Sequence, residues 1–244
     1  MRGRIRLMMR SAQRLSIGFL SGLLAILYSL TAAALAEGSV SSEDPQRLVA
    51  DTVNELVDRL KDNSEQIHKD NEIAYRISDE LITPHIDFPR VTRLVIGKYW
   101  QRASEQQRQT LIAEVKSLLI RSYVAAMTTY ADQIVARKDR ISFLPSHYKP
   151  GDKRATVRAN IALDNGRVVE VQYHLYNGDG TWRIYDIGIE GISLALTYRT
   201  TFGEQIKKGG LDSLIAQLAE RNRKGEVELS PPGVSKPVAE KSAL

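Results

Sequence analysis

The chain has 244 residues, with 34 basic and 29 acidic side chains and no cysteine. The absence of cysteine excludes disulfide bonds, thiol catalysis and thiolate metal sites, so the protein has to be stabilised by a packed apolar core. The length suits one domain, or at most two small ones.

The amino-terminal segment has the composition of an export signal. An almost uncharged apolar run extends from Leu15 to Leu35, and Ala34-Leu35-Ala36 offers the small residues that signal peptidase requires. We therefore predict that residues 1–36 are a signal peptide, cleaved before Glu37. An uncleaved membrane anchor is the alternative, because the run approaches the ~20 residues that span a bilayer. The basic residues ahead of the run are Arg2, Arg4, Arg6, Arg10 and Arg14.

Removal of this segment changes the charge of the protein. The segment holds five arginines and no acid, so cleavage leaves 29 basic and 29 acidic residues. A mature protein with equal numbers of basic and acidic residues lacks the excess positive charge that binding to a nucleic-acid backbone requires. The high isoelectric point of the whole chain results from the arginines of the predicted signal peptide. We therefore expect no nucleic-acid partner.

Three helices are predicted from apolar periodicity in the first part of the mature chain. Pro45 opens the first, whose apolar side chains continue at helical spacing to Leu60. The second helix is stopped by Pro84. Asp87 is the expected N-cap of the third, which Gly97 can terminate.

A fourth, longer helix follows. Ser104 and Gln107 form a capping box, because the serine oxygen can accept from a free backbone amide while the glutamine reaches back. The helix is predicted to run to about Ala136. Its apolar positions form a broad stripe, which predicts that it lies across a sheet.

Strand-like segments come next, separated by turn-forming Pro-Gly, Asn-Gly and Gly-Asp-Gly sequences, and their order predicts an antiparallel meander. Alternation places apolar residues on one face and Arg158, Glu170, Gln172 and Arg183 on the other. The predicted strands are Ile141 to Tyr148, Ala155 to Leu163, Arg167 to Tyr176 and Thr181 to Ile189.

Two helices, from Ser193 to about Lys208 and from Leu211 to Asn222, are predicted to close the domain. The expected fold is α+β, with helices on one side of a curved antiparallel sheet. Residues 37–222 then form a single domain. The tail at residues 223–244 has too little apolar content to order itself and is predicted to be disordered.

Short motifs along these elements carry a resemblance to a known family. They are Gly97-Lys-Tyr-Trp100, Gln107-Arg108, Tyr123, Trp182 to Asp186, Gly191-Ile-Ser193, Tyr198-Arg199, Phe202 and Gly210. In this order and spacing they resemble the MlaC family of periplasmic phospholipid-binding proteins, also called toluene-tolerance auxiliary proteins. The resemblance extends from about Leu48 to Asn222.

The resemblance implies both a fold and a function. The fold would be similar to NTF2-like domains, with an apolar cavity between sheet and helices that takes the acyl chains of a phospholipid. The function would be that of a soluble, monomeric periplasmic carrier that maintains the lipid asymmetry of the outer membrane. Its partners would be an MCE-domain protein of an inner-membrane ABC transporter and an outer-membrane lipoprotein complex. Phospholipid would be its ligand, and no cofactor or metal is expected.

Residues of the apolar stripe and the apolar sheet face are the candidates for the cavity wall. Their alternative role is ordinary filled core, since periodicity does not distinguish the two. The candidate wall residues are Ile96, Tyr99, Leu118, Tyr123, Val157, Ile161, Val169, Val171, Tyr173, Trp182 and Ile184.

Charged residues supply two further expectations. Arg199 could bind a headgroup phosphate through its planar guanidinium, although an ion pair with Asp186 or Glu190 is the alternative. A group of basic residues could favour anionic partner surfaces, although a charged helix face is usually only solvated. This group consists of Arg90, Arg93, Lys98 and Arg102.

Two rival classes of function stay open at the level of sequence. An enzyme is disfavoured because the chain has no metal-binding His pair, nucleophile elbow or phosphate-binding loop. Asp186 is the best isolated acid for a buried site. An interaction or chaperone module with a filled core and no ligand is the second rival. The histidines are His68, His85, His147 and His174.

Overall fold

The computed structural model describes residues 44–226. The predicted signal peptide, and the chain beyond residue 226, lie outside the described residues. Within residues 44–226, none of the helices has the length and apolar content needed to cross a bilayer. The helices are α1 Pro45–Asp62, α2 Ser64–Ile67, α3 Asn71–Leu81, α4 Phe88–Ile96, α5 Glu105–Ala136 and α6 Leu194–Lys224. The strands are β1 Ile141–Phe143, β2 Arg154–Ala162, β3 Val168–Asn177, β4 Trp182–Ile189 and β5 Ile192–Ser193.

The helices begin where the capping signals predict. The Asp87 side chain accepts a hydrogen bond from the amide of Arg90 at 2.9 Å. Ser104 Oγ accepts from the amide of Gln107 at 3.1 Å, while Gln107 Oε1 accepts from the Ser104 amide at 2.9 Å. These bonds satisfy amides that have no acceptor inside the helix. The predicted N-cap and capping box are confirmed.

The five strands form one antiparallel sheet in the order β1-β2-β3-β4-β5. This is the predicted meander, with the boundaries of β2 and β3 shifted by one residue. The predicted strand from Ile141 to Tyr148 is wrong in its second half, because pairing stops after Phe143. The Leu144 amide makes the last bond to β2, to the Arg158 carbonyl at 2.9 Å, and the chain leaves the sheet at Pro145, whose ring fixes φ.

A β-bulge in β4 changes which side chains share a face. Leu175 is opposite Ile184, but the preceding His174 is opposite Asp186, so Tyr185 is an extra residue in β4. The alternation therefore restarts after Tyr185, and Ile187 and Ile189 join the apolar face. We call this the inner face. It also carries Val157, Ala159, Ile161, Val169, Val171, Tyr173 and Leu175.

Buried side chains form three clusters. In the first, Leu48 and Val49 of α1 pack on the inner face around Val157, Leu175 and Trp182. The second joins α1 and α3 to the carboxyl-terminal half of α5. The third joins α4, the amino-terminal half of α5 and α6. The helices are thus held largely by helix–helix cores. Buried side chains of α1 pack on the inner face, while α4 and α6 contact β4.

The long helix α5 packs chiefly on other helices, namely α1, α3, α4 and α6. The expectation that it lies across the sheet is therefore corrected. Its apolar stripe is broad because several helices surround it, each covering part of its circumference. Helix α5 faces the sheet without packing closely against it.

Gly210 interrupts α6 with φ 81° and ψ 178°, so its two segments correspond to the two predicted carboxyl-terminal helices. Residues with a side chain rarely adopt this backbone conformation, whereas glycine tolerates it. The second segment extends to Lys224, two residues beyond the predicted end. Arg223 belongs to this helix and donates to Glu220 at 2.6 Å, so the predicted disordered tail cannot begin there. Residues 227–244 lie outside the described part of the chain.

Candidate functional site

Tyr123, on α5, combines two properties that rarely occur together. Its surface is 37% exposed. Burial nevertheless raises the pKa of its phenol well above the usual value, because protein atoms surround the side chain. A side chain that is densely surrounded by protein and still has accessible surface borders a recess. We therefore take the space next to Tyr123 as the candidate cavity.

Tyr173 forms the opposite side of this cavity. It lies on the inner face of β3, between Val157 of β2 and Ile187 of β4. Burial raises its pKa to about 12, and its phenol is near enough to Tyr123 to raise the pKa of that group further. The cavity thus lies between α5 and the sheet.

Neither phenol is satisfied by the protein around it. Within residues 44–226, the hydroxyls of Tyr123 and Tyr173 have no hydrogen-bond partner. Both rings present a polar group to a space otherwise bounded by apolar side chains of the inner face. The two hydroxyls are therefore available to a ligand or to solvent.

The remaining wall candidates on the sheet differ in burial. Val157 and Trp182 are fully buried, and Val171 and Ile184 are 8% and 9% exposed. Ile161 and Val169 are half-buried partners at the far end of the β2–β3 ladder. All of them lie on one face of the sheet, so the structure brings this half of the candidates together with Tyr173.

Three wall candidates lie elsewhere. Ile96 and Leu118 are 1% exposed and belong to the core between α4, α5 and α6. Tyr99 packs against the same core. The structure places them in helix–helix packing, apart from the inner face.

Trp182 has an unusual environment for its polar atom. The indole packs edge-on against Tyr148, with ring centroids 5.4 Å apart. Its Nε1 is fully buried and has no hydrogen-bond partner within the described residues. The side chain therefore serves as an apolar anchor between α1 and the end of the β3–β4 hairpin.

Ile187 and Ile189 are inner-face residues that the sequence pattern misses. Counting in twos from Trp182 places Asp186 and Gly188 inside, whereas the bulge at Tyr185 reverses the alternation. The sequence holds one signal for this change, because the apolar residues are even-numbered before Tyr185 and odd-numbered after it.

Arg199 is exposed on α6 and lies against the backbone of Gly97. The alternative of an ion pair with Asp186 or Glu190 is wrong.

Asp186 accepts from Ser193 Oγ at 2.5 Å and from the Ala195 amide at 3.1 Å. The carboxylate therefore caps α6, which also explains why an acid interrupts this apolar strand. Glu190 pairs with Arg167 at 3.4 Å.

The basic group proposed for partner binding is not uniform. Arg90 is partly exposed and already has partners, since it pairs with Asp87 at 3.1 Å and its guanidinium lies 3.5 Å from the ring centre of Tyr176. Arg93, Lys98 and Arg102 are exposed. Together with Arg199 they have no ion-pair partner within residues 44–226.

The histidines do not assemble a catalytic or metal site in the part of the chain that the structure describes. No group of three or more histidine and acidic side chains there could hold a metal ion. His68 lies 3.4 Å from exposed Asp132. His174 contacts the Thr156 hydroxyl at 3.2 Å on the outer side of the sheet. His85 is half-buried and His147 is exposed.

A separate groove of about 480 Å³ opens on the surface beside Tyr75 and Arg121. Arg121 donates there to the carbonyl of Arg221 at 3.2 Å and to Ser117 Oγ at 3.1 Å. Its guanidinium thus neutralises the carboxyl end of α6. The groove is open, and Arg121, Arg223 and Lys224 are among the residues that line it.

Comparison with known proteins supports the resemblance inferred from the motifs. A model of the MlaC family, described as MlaC protein, matches residues 50–220. The chain belongs to the MlaC family. This MlaC-family chain is 28% identical over 175 residues to toluene tolerance protein ttg2D of Pseudomonas putida, covering 71% of the chain and 78% of that protein.

Two more similarities concern proteins described by their lipid ligand. The Haemophilus influenzae intermembrane phospholipid transport system binding protein MlaC is 22% identical over 199 residues, covering 80% of this chain and 90% of its own. The phospholipid-binding protein from Ralstonia solanacearum, solved in complex with a phospholipid, superposes with a TM-score of 0.62 at 29% identity. The match covers 75% of this MlaC-family chain and 98% of that structure, and confirms the predicted fold class.

Proposed function

We propose that this MlaC-family protein is a periplasmic phospholipid carrier. It takes up a glycerophospholipid, buries the acyl chains between α5 and the inner face of the sheet, and carries it between the two membranes. Family membership and the lipid-bound Ralstonia solanacearum structure support phospholipid as the ligand class.

The exposure of Tyr123 is the observation that carries the proposal. In a filled core, a side chain surrounded by protein would have almost no accessible surface, as Phe202 and Leu118 show at 1%. Tyr123 instead has 37%. This difference favours a carrier over an interaction module with a filled core.

The physical chemistry of lipid transfer explains why an enclosed apolar space is needed. Exposure of an acyl chain to water costs roughly 0.8 kcal/mol for each CH₂ group. A diacyl lipid therefore crosses an aqueous compartment slowly unless its chains are covered. A cavity bounded by Tyr173, Ile187 and their inner-face neighbours would cover them while leaving a polar headgroup in water.

Directional transfer also needs partners on both membranes. We propose that an MCE-domain protein of an inner-membrane ABC transporter meets the carrier on one side and an outer-membrane lipoprotein complex on the other. The exposed basic group at Arg93, Lys98 and Arg102 is the proposed contact for an acidic partner surface. Arg199, which lies against Gly97, extends the same basic surface.

Transfer between two populations of vesicles tests the proposal. The protein, purified from cells that express the full chain, is added to donor vesicles that contain a fluorescent phospholipid and to acceptor vesicles that lack it. A carrier accelerates the appearance of lipid in the acceptor in proportion to protein concentration. No acceleration and no protein-bound lipid would support the filled-core module, whereas release of free fatty acid would support an enzyme.

A further inference from the structure

Two exposed aliphatic side chains lie where β5 passes into α6. Ile192 and Leu196 are each 48% exposed. Ser193 caps the helix between them, since its Oγ accepts from the Leu196 amide at 3.1 Å, so both side chains lie at the same end of α6. Scattered single aliphatic residues are ordinary on a protein surface, whereas two together favour a contact surface.

Cations adjoin this aliphatic pair. Arg199 is exposed three positions after Leu196, so the two side chains share one face of α6. The Arg199 side chain lies against Gly97 at the end of α4. The Gly97 amide donates to the carbonyl of Arg93, and Lys98 follows directly, so three exposed cations lie around this glycine.

The acidic residues nearest in sequence to the aliphatic pair are engaged elsewhere. Asp186 accepts from Ser193 Oγ at the cap of α6, and Glu190 pairs with Arg167 at 3.4 Å. The three cations around Gly97 have no ion-pair partner within residues 44–226. An aliphatic pair thus lies beside uncompensated positive charge. We call this surface the amphipathic patch, and it consists of Ile192, Leu196, Arg93, Lys98 and Arg199.

The two properties of the amphipathic patch select the kind of partner. An acidic protein surface accounts for the cations alone. The interface of an anionic membrane accounts for both properties, because its headgroups attract cations while the layer beneath them takes up apolar side chains. Two half-exposed side chains hold a protein there only briefly, since even a whole myristoyl chain gives reversible binding.

We propose that the amphipathic patch binds reversibly to the surface of an anionic phospholipid bilayer. Ile192 and Leu196 insert between the headgroups, and the cations pair with lipid phosphates. This goes beyond the proposed carrier function, because it assigns a direct contact between protein and bilayer that needs no protein partner. It also holds whether or not the protein carries a lipid.

Flotation with vesicles tests the aliphatic part of the patch. The protein, purified from cells that express the full chain, is mixed at low salt with vesicles of equal parts phosphatidylglycerol and phosphatidylcholine and centrifuged through a density gradient. Wild type is expected to float with the vesicles, and Leu196→Ser should lower the bound fraction at least about threefold, because less apolar area enters the interface. Val168→Ser is the matched control and should float as wild type does, since Val168 is 54% exposed on the outer side of the sheet.

The same assay tests the cations. Lys98→Gln/Arg199→Gln should weaken binding about fivefold for each charge removed. Lys153→Gln/Arg154→Gln removes the same charge at exposed positions where β2 begins and should have a much smaller effect. Equal losses in the two variants would overturn the proposal, because they would show a general charge effect.

The outcomes separate this proposal from the carrier function. If wild type does not float with the anionic vesicles, or if Leu196→Ser floats as well as wild type, the membrane contact is refuted and an acidic protein remains the partner of the basic residues. Lipid extracted from the protein before vesicles are added decides the carrier. Lipid without flotation refutes only the membrane contact, and flotation without lipid refutes only the carrier.

A fluorescent label provides a second measurement that does not rely on loss of binding. Because the chain has no cysteine, Leu196→Cys introduces a unique thiol that can carry nitrobenzoxadiazole. Insertion into the interface should shift its emission to the blue and raise the intensity when the anionic vesicles are added. The same label at Val168→Cys should not respond. Equal responses at both positions, or no response at Leu196→Cys, would overturn the proposal.

Discussion

At the residue scale, side chains that stand out in the sequence divide into structural and functional groups. Asp186 stands out as a lone acid in an apolar strand, and the structure assigns it to the first turn of α6. Tyr123 looks like one more member of an apolar stripe, yet it faces the cavity. The position of Tyr123 in the apolar stripe does not predict its surroundings, because these depend on the distance between α5 and the sheet.

The phenols predict a loss of stability at alkaline pH. Burial raises the pKa of Tyr173 from about 10 to about 12, so the folded state holds its proton more tightly than the unfolded state. The associated stability is fully present below about pH 10 and is lost as the pH rises toward about 12. Urea unfolding at a series of pH values should show this loss in wild type and a smaller loss in Tyr123→Phe/Tyr173→Phe. Equal losses would contradict the assignment.

At the scale of elements, the junction between α4 and α6 explains two of the family motifs together. Gly97 ends α4 with φ 62°, and a Cβ there would collide with Nε of Arg199 on α6. Gly97 of the Gly97-Lys-Tyr-Trp100 motif and Arg199 of the Tyr198-Arg199 motif therefore contact each other.

Gly97→Ala should destabilise the protein by about 1–3 kcal/mol, because φ 62° is unfavourable for alanine, while the exposed guanidinium of Arg199 can move away from the new Cβ. Gly203→Ala is the matched control. It lies within α6, where a Cβ meets nothing within 4 Å, so we expect a gain of about 0.5–1 kcal/mol. Urea midpoints measure both effects. An unchanged urea midpoint for Gly97→Ala would show that the junction between α4 and α6 adjusts to the substitution at little cost.

The two faces of β3 provide a test of the cavity. Val169 is half-buried on the inner face, while its neighbour Val168 is 54% exposed on the other face. Val169→Trp should fill part of the cavity and lower the amount of bound phospholipid by at least about 3-fold, because a filled core has no room for chains. Val168→Trp should leave lipid content unchanged. Lipid extraction from both purified variants measures the effect, and equal lipid contents would place the ligand elsewhere.

Local signals predicted most of the elements, and long-range packing decided the rest. The caps at Asp87 and Ser104 depend on residues within three positions, so the sequence suffices to find them. The early end of β1 also has a local cause in Pro145. In contrast, the bulge at Tyr185 follows from cross-strand pairing, and the distance between α5 and the sheet follows from the surrounding helices. The apolar periodicity of a single segment predicts neither the bulge nor this distance.

At the scale of the whole molecule, the proposed lipid site and the proposed docking surface lie in different parts of the protein. The cavity lies between α5 and the sheet. The exposed basic residues lie at the end of α4 and in the following turn, joined by Arg199 of α6. Under the proposed function, this separation would let a partner hold the protein while the acyl chains remain covered.

Charge reversal should therefore affect docking without affecting lipid content. Lys98→Glu/Arg102→Glu is expected to slow association with an acidic partner about tenfold at low salt, with a smaller effect at high salt. Lys153→Glu/Arg154→Glu makes the same change in charge at exposed positions where β2 begins. Surface plasmon resonance against each immobilised membrane partner compares the two variants. Equal slowing in both would indicate a general charge effect instead of a docking surface.

The most direct test of the carrier is native mass spectrometry of the protein purified from cells that express the full chain, followed by denaturing lipid extraction. The account predicts a mass excess equal to a whole number of phospholipid molecules, lost on denaturation and recovered in the extract. A protein without extractable lipid, which stays so after incubation with phospholipid vesicles, would contradict it.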